Sequence, residues 1–209
     1  MPEELRGEFG EFGVGDVWTW TALCADTKLI ASWYVGGRAF EDAHAFMEDL
    51  KGRLARRIQL NTDGHQAYVT AVGLNFRQDI DWAQIQKTYR SDPSAERRYS
   101  PPVCTGIKTR ILKGNPDPAK ISTSYIERQN LTMRMGMRRF TRLTNGFSKK
   151  LDNHMAAIAI HFMHYNFARP HKSLLLPQED GPAIKQTPAM AAGIADHIWT
   201  AAEIAELSN

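Results

Sequence analysis

Cysteine is scarce in this chain. Cys24 and Cys104 are its only thiols, they stand far apart, and no CxxC spacing occurs. Neither a disulfide framework nor a clustered zinc site is expected from two isolated cysteines. Long apolar runs are absent as well, and none approaches the ~20 residues that cross a bilayer. Met1-Pro2-Glu3-Glu4 lacks the basic and apolar regions of a signal peptide. A cytoplasmic protein without membrane association is expected. There is no P-loop, GxGxxG, GxSxG or HExxH string, which argues against nucleotide-binding, serine-hydrolase and zinc-peptidase readings. His154, His161 and His164 fall near one helical face, yet no cysteine accompanies them, so packing or solvation is expected of them rather than zinc. No internal repeat or low-complexity tract is present.

Acidic residues are missing where basic ones gather. Residues 128–151 hold Arg128, Arg134, Arg138, Arg139, Arg142, Lys149 and Lys150 and no Asp or Glu. Residues 85–113 hold seven more Lys/Arg against Asp92 and Glu96. With fourteen cations against two anions, these stretches carry +12 of an overall +3, which leaves −9 for the rest. Such segregation points to a polyanionic partner or to solvated basic faces.

The 43% hydrophobic content of the 209 residues is enough for one sizeable α/β domain, or one domain with a helical extension. Residues 1–15, rich in Gly and Glu, read as loop. Val17–Leu23 and Leu29–Val35 are aromatic and β-branched, and Asp26-Thr27-Lys28 between them reads as a turn, so an antiparallel hairpin is expected. Phe40, Ala43, Phe46, Met47, Leu50 and Leu54 recur at helical spacing over Phe40–Ala55. Ile58–Thr62 reads as a short strand stopped by Asp63-Gly64, followed by a short helix over Gln66–Val72 and a strand over Gln78–Ile85. Five prolines in 90–120 predict a loop or insertion there. Helical spacing resumes at Ser122 and again over Phe147–Phe167, where Leu151, Met155, Ile158, Phe162 and Tyr165 form one face. Four prolines in 169–188 predict coil, and a short helix is expected within 189–207. Strands, helix, strand ending in Asp, then helices bearing a Glu fit a mixed sheet flanked by helices.

Two carboxylates stand out. Asp63 follows a strand, and the rim of an α/β sheet at strand ends is where ligands bind; Asp-Gly is equally a common turn pair. Glu127 shares a helical face with Asn130, Leu131 and Arg134, so that one face presents a carboxylate to a metal and an amide and a guanidinium to DNA; a first-turn Glu is also favoured by the helix dipole alone. In-line phosphodiester cleavage uses divalent ions held by Asp and Glu oxygens, usually three carboxylates from separate elements. Arg128, Arg134, Arg138, Arg139, Arg142, Lys149 and Lys150, with Asn130, suit a phosphate-gripping surface.

A set of strings then runs in a familiar order: Gly15–Ala22, Ala25–Ile30, Thr62-Asp63-Gly64-His65 with Ala67-Tyr68, Ser122–Tyr125, Glu127–Arg134, Met137–Asn145, and Tyr165-Asn166-Phe167 with Arg169-Pro170-His171. Over about residues 3–199 the chain resembles the DDE transposases of the insertion-sequence-one type; the Tyr-Asn and Arg-Pro-His strings are shared more loosely with other transposases and retroviral integrases. The resemblance implies an RNase H-like fold over 16–168 with a C-terminal coil and short helix over 169–209. It also implies Mg²⁺- or Mn²⁺-dependent DNA cleavage and strand transfer during transposition of an insertion sequence. The implied partners are transposon-end and target DNA and a second copy of the chain, with nucleoid association when DNA is bound. It maps two metal-binding catalytic residues onto Asp63 and Glu127. The first acidic residue of such enzymes lies in a strand resembling Val-Asp-Glu-Ile-Trp, and nothing in this sequence matches it; Asp16 and Asp26 match positions that are not the usual ligands. The expectation is a catalytic domain lacking its first strand and helix-turn-helix, weakly active or inactive. The alternative is a non-catalytic DNA- or transposase-binding remnant acting as an inhibitor.

Overall fold

The computed structural model describes residues 17–90, 103–141, 146, 148, 150–178 and 181–207. In chain order the main elements are β1 (Trp18–Leu23), β2 (Ile30–Gly36), α1 (Phe40–Gly52), β3 (Gln59–Asp63), α2 (Ala67–Phe76), β4 (Asp81–Arg90) and β5 (Val103–Lys113). Then come α3 (Ser124–Gly136), α4 (Leu151–Met163), the two-residue strands β6 (Leu175–Leu176) and β7 (Ile184–Lys185), α5 (Pro188–Ala191) and α6 (Ala201–Glu206). The chain divides into two compact units, Met1–Gly37 with Tyr125–Asn209, and Arg38–Ser124. Among the described residues no helix is long and apolar enough to cross a membrane.

In the first unit, β1 and β2 form the predicted antiparallel hairpin, with Trp20 opposite Tyr34 and a bulge at Ala22/Leu23. Its turn closes through backbone bonds between Cys24 and Leu29 and between Lys28 and Cys24, both 2.8 Å, with Lys28 in the left-handed region at φ 62°. Ile30 and Val35 of the hairpin pack with Met133 and Met137 and with Ile158, Phe162 and Tyr165 in one buried cluster. The spacing of those residues is what makes α3 and α4 amphipathic: each buries one stripe and turns the other outward. Past α4 the helix widens into a π-turn over His164–Ala168. That turn presents Asn166 to β2: its carboxamide oxygen accepts from the Ile30 N–H and its NH₂ donates to the Ile30 carbonyl, both at 3.0 Å. A single side chain thus satisfies both backbone groups of a buried strand residue, as a neighbouring strand would.

The second unit is a mixed three-stranded sheet with helices. β3 pairs parallel with β4, and β4 antiparallel with β5. Its core gathers Ala43, Phe46, Met47 and Leu50 of α1, Ala71, Val72 and Phe76 of α2, and Ile80, Trp82, Ala83 and Ile85 on and beside β4. A polar knot fixes the strand ends: Arg57 donates to both Asp81 carboxylate oxygens, at 2.9 and 2.7 Å, and the Asn115 N–H donates to Asp81 Oδ1 at 2.7 Å. Gly114 turns beside this knot with φ +63°, and a Cβ there would lie 2.1 Å from Asp81 Oδ1, so only glycine fits.

The mixed α/β architecture agrees with the sequence reading, and most elements fall where periodicity places them. The exceptions are residues 169–188, expected to be coil, where the two-residue strands β6 and β7 pair antiparallel, and residues 103–113. The prolines flanking the latter predict loop, and the chain forms an eleven-residue strand. The loop predicted for 1–15 lies outside the described residues, as does Asp16.

Candidate functional site

Asp63 is the last residue of β3 and its side chain is exposed. Its Oδ1 accepts the His65 N–H at 3.0 Å, so the turn-forming role of Asp-Gly is real. That bond uses one of the two carboxylate oxygens. The surroundings hold this strand end in place. One residue earlier, the buried Thr62 hydroxyl accepts from the Trp82 indole N–H at 3.0 Å. Gln84 donates to the His65 carbonyl at 3.3 Å, and the His65 ring meets the Arg38 carbonyl at 3.1 Å and packs edge-on against Tyr68. Burial, and then the Asp63 charge beside it, push the Tyr68 hydroxyl up, so it stays protonated. Among these residues the sequence reading singled out Asp63 alone; Thr62, Gly64, His65 and Tyr68 appeared as parts of a string, and Trp82 and Gln84 carried no signal beyond strand propensity.

The face of β3 that bears Asp63 also bears Gln59 and Asn61, by strand alternation. Gln59 exchanges bonds with Asp117, donating to its carbonyl at 3.2 Å and accepting its N–H at 2.8 Å. Asn61 donates to the Lys120 carbonyl at 2.8 Å. These bonds lay the Pro118–Lys120 turn along β3, and the chain then enters α3 at Ser124.

On α3, Gln129 and Met133 are buried, whereas Glu127, Arg128, Asn130, Leu131 and Arg134 are exposed. Glu127, Asn130 and Arg134 therefore share an outward face, as their spacing predicts. The inward stripe packs on the hairpin and α4, and the Lys28 ammonium lies 3.8 Å from the Tyr125 ring centroid at the helix start. Arg138 and Arg139 follow in a short 3-10 turn, both exposed; Arg139 also donates to the Asn153 carbonyl, so its guanidinium has a structural task. Lys150 is exposed at the start of α4. Arg142 and Lys149 lie outside the described residues.

No family model, no curated protein and no solved structure matches the chain. The site is read from its own chemistry. Asp63 and Glu127 supply hard oxygen donors of the kind a divalent cation prefers. Among the described residues, no group of three or more His, Cys, Asp or Glu side chains is arranged to hold a metal ion. Burial, reinforced by nearby cations, pushes His154 and His161 of α4 down, so their rings are neutral over a wider pH range.

Proposed function

We propose that the chain is a DNA-handling domain of the DDE transposase type, with an RNase H-like fold, in which Asp63 and Glu127 are metal-binding catalytic residues and the outward face of α3 grips DNA. The observation that carries this reading is that face. It sets Glu127 about 10 Å along the axis from Arg134, with Asn130 between them, and no acidic residue follows until Asp152. A carboxylate beside a run of cations suits a metal ion next to a phosphate, because the cations offset the phosphate charge that the carboxylate would repel. Asp63 suits the same chemistry through its exposed position at a strand end and its rigid surroundings. Mg²⁺ or Mn²⁺, when bound, would stabilise the attacking and leaving oxygens of the phosphodiester. Arg128, Arg134, Arg138, Arg139, Arg142, Lys149 and Lys150 bind the DNA backbone, and Asn130 donates to phosphate or sugar oxygens.

With two carboxylates rather than three, weak strand cleavage by residues 1–209 is expected. The lack of a three-ligand group among the described residues favours a second reading: a DNA- or transposase-binding protein without chemistry of its own. Incubating the protein with linear duplex DNA carrying inverted repeats and Mn²⁺ separates the two. Cleavage that is lost in Asp63→Asn and in Glu127→Gln, with DNA binding retained, supports the catalytic reading. Binding with no cleavage under any metal supports the second. Joined rather than merely cut products distinguish strand transfer from simple nuclease action.

A further inference from the structure

β3 ends opposite Ile85, but β4 runs on to Arg90, paired among the described residues with β5 alone. Those five further residues carry a two-stranded ribbon about 17 Å beyond the sheet, at the usual rise per strand residue. Both of its faces are open: Gln86, Thr88, Tyr89 and Arg90 are exposed on β4, and residues 104–110 are exposed throughout on β5. Tyr89 is 54% accessible although Trp82–Ile85 at the other end of β4 are buried, and Ile107 on β5 is 65% accessible.

The described part of β4 beyond Asp81, together with β5, contains Lys87, Arg90, Lys108, Arg110 and Lys113 and no acidic residue. In antiparallel ladders a cation is commonly matched by an anion directly across. Here Lys108 faces Gln86, Arg110 faces Gln84, and Arg90 faces Val103. Among the described residues Arg90, Lys108, Arg110 and Lys113 enter none of the ion pairs. Edge strands often carry a lysine to discourage aggregation. That purpose is served by one or two charges and gives no reason to exclude every anion or to fill the cross-strand positions with glutamine.

We infer that the free part of the β4–β5 ribbon docks into the major groove of duplex DNA, with Lys108 and Arg110 against the phosphates of one wall. The identification of the polyanion as DNA rests on the function proposed above. The groove, about 12 Å wide, admits a two-stranded ribbon. Gln86 and Thr88, on the face of Lys108, are neutral donors and acceptors directed at base edges or sugars. The ribbon begins beside the candidate catalytic turn: a Cβ on Gly64 would lie 3.4 Å from Gln86 Cγ. DNA held on the ribbon is therefore held next to Asp63.

The test is fluorescence anisotropy on a 30-base-pair duplex across a salt series, with guanine-N7 methylation protection on the same DNA. It compares wild type, Lys108→Ala/Arg110→Ala, and Arg134→Ala/Arg138→Ala, each with a thermal melt to show an unchanged fold. The ribbon variant is expected to bind on the order of tenfold more weakly, to lose about 1.8 from the log–log salt slope, and to lose guanine protection. Binding and protection identical to wild type in the ribbon variant, with the α3 variant impaired, overturn the ribbon inference and leave the proposed function standing. Ribbon-dependent DNA binding with no metal-dependent cleavage supports the ribbon and counts against the catalytic reading. Wild-type binding to vesicles with 30% anionic lipid, abolished by the ribbon substitutions, while duplex DNA is not bound, overturns the inference in favour of a membrane surface.

Discussion

The structural role of Asp63 does not compete with the metal binding proposed for it. One oxygen holds the turn through the His65 N–H, and the proposal assigns the rest of the carboxylate to a cation. Asparagine keeps an oxygen for the turn and removes the charge. Asp63→Asn is therefore expected to change stability by no more than about 0.5 kcal/mol while abolishing metal-dependent cleavage; a melt and a cleavage assay on one preparation check both. A second ionisable cluster lies far along the chain. The His197 ring is bracketed by Asp196 at 2.6 Å and Glu203 at 2.7 Å, beside a cavity of about 560 Å³ also lined by Glu206 and Trp199. Asp196 first, then Glu203, raises His197, and the Thr200 N–H, then His197, holds Glu203 down to about 2. The imidazolium contribution is present below the ordinary histidine value and is lost as pH rises through the raised one. The Glu203 contribution is present above the ordinary carboxylate range and is lost as pH falls toward about 2. Amide exchange in α6 should accelerate as pH rises above the ordinary histidine value and through the raised one, beyond the intrinsic base-catalysed increase, and His197→Gln should remove that excess. Protection that stays constant over this range in wild type would contradict the bracket's role.

At the scale of elements, the π-turn after α4 does what strand pairing does elsewhere. Asn166→Ala removes two bonds to Ile30 and leaves a buried N–H and carbonyl unpaired, a cost of about 2–4 kcal/mol. Denaturant unfolding measures it, and a loss under 0.5 kcal/mol would show that the clamp matters little. The hairpin, α1, β3, α3 and α4 were legible because their apolar residues recur at the period of the element they form. The strand Val103–Lys113 was not legible, since periodicity reports burial and this strand buries almost nothing; the prolines around it mark its ends rather than its absence. Asn166 could be quoted as part of a string, but its task depends on a partner 136 positions away, which no local pattern encodes. Glu127 and its neighbours were legible as an outward face because Gln129 and Met133 supply the inward one.

Across the whole molecule, charge is sorted rather than balanced. Cations concentrate in two elements, α3 with its following turn and the β4–β5 ribbon, one in each compact unit. Among the described residues, the pairs Lys51–Asp79, Arg53–Asp49 and Arg57–Asp81 lie outside α3 and outside the part of the ribbon beyond β3. Those pairs neutralise charge locally, and association of the basic segments with a polyanion should weaken steeply with salt. The proposed function turns on Asp63 and Glu127 as metal ligands, one in each compact unit. The direct measurement is Mn²⁺ binding, followed by water-proton relaxation in the presence of duplex DNA, for wild type, Asp63→Asn, Glu127→Gln and the double variant. The expected result is that each single variant binds Mn²⁺ about tenfold more weakly than wild type. Mn²⁺ affinity unchanged in both single variants would contradict it.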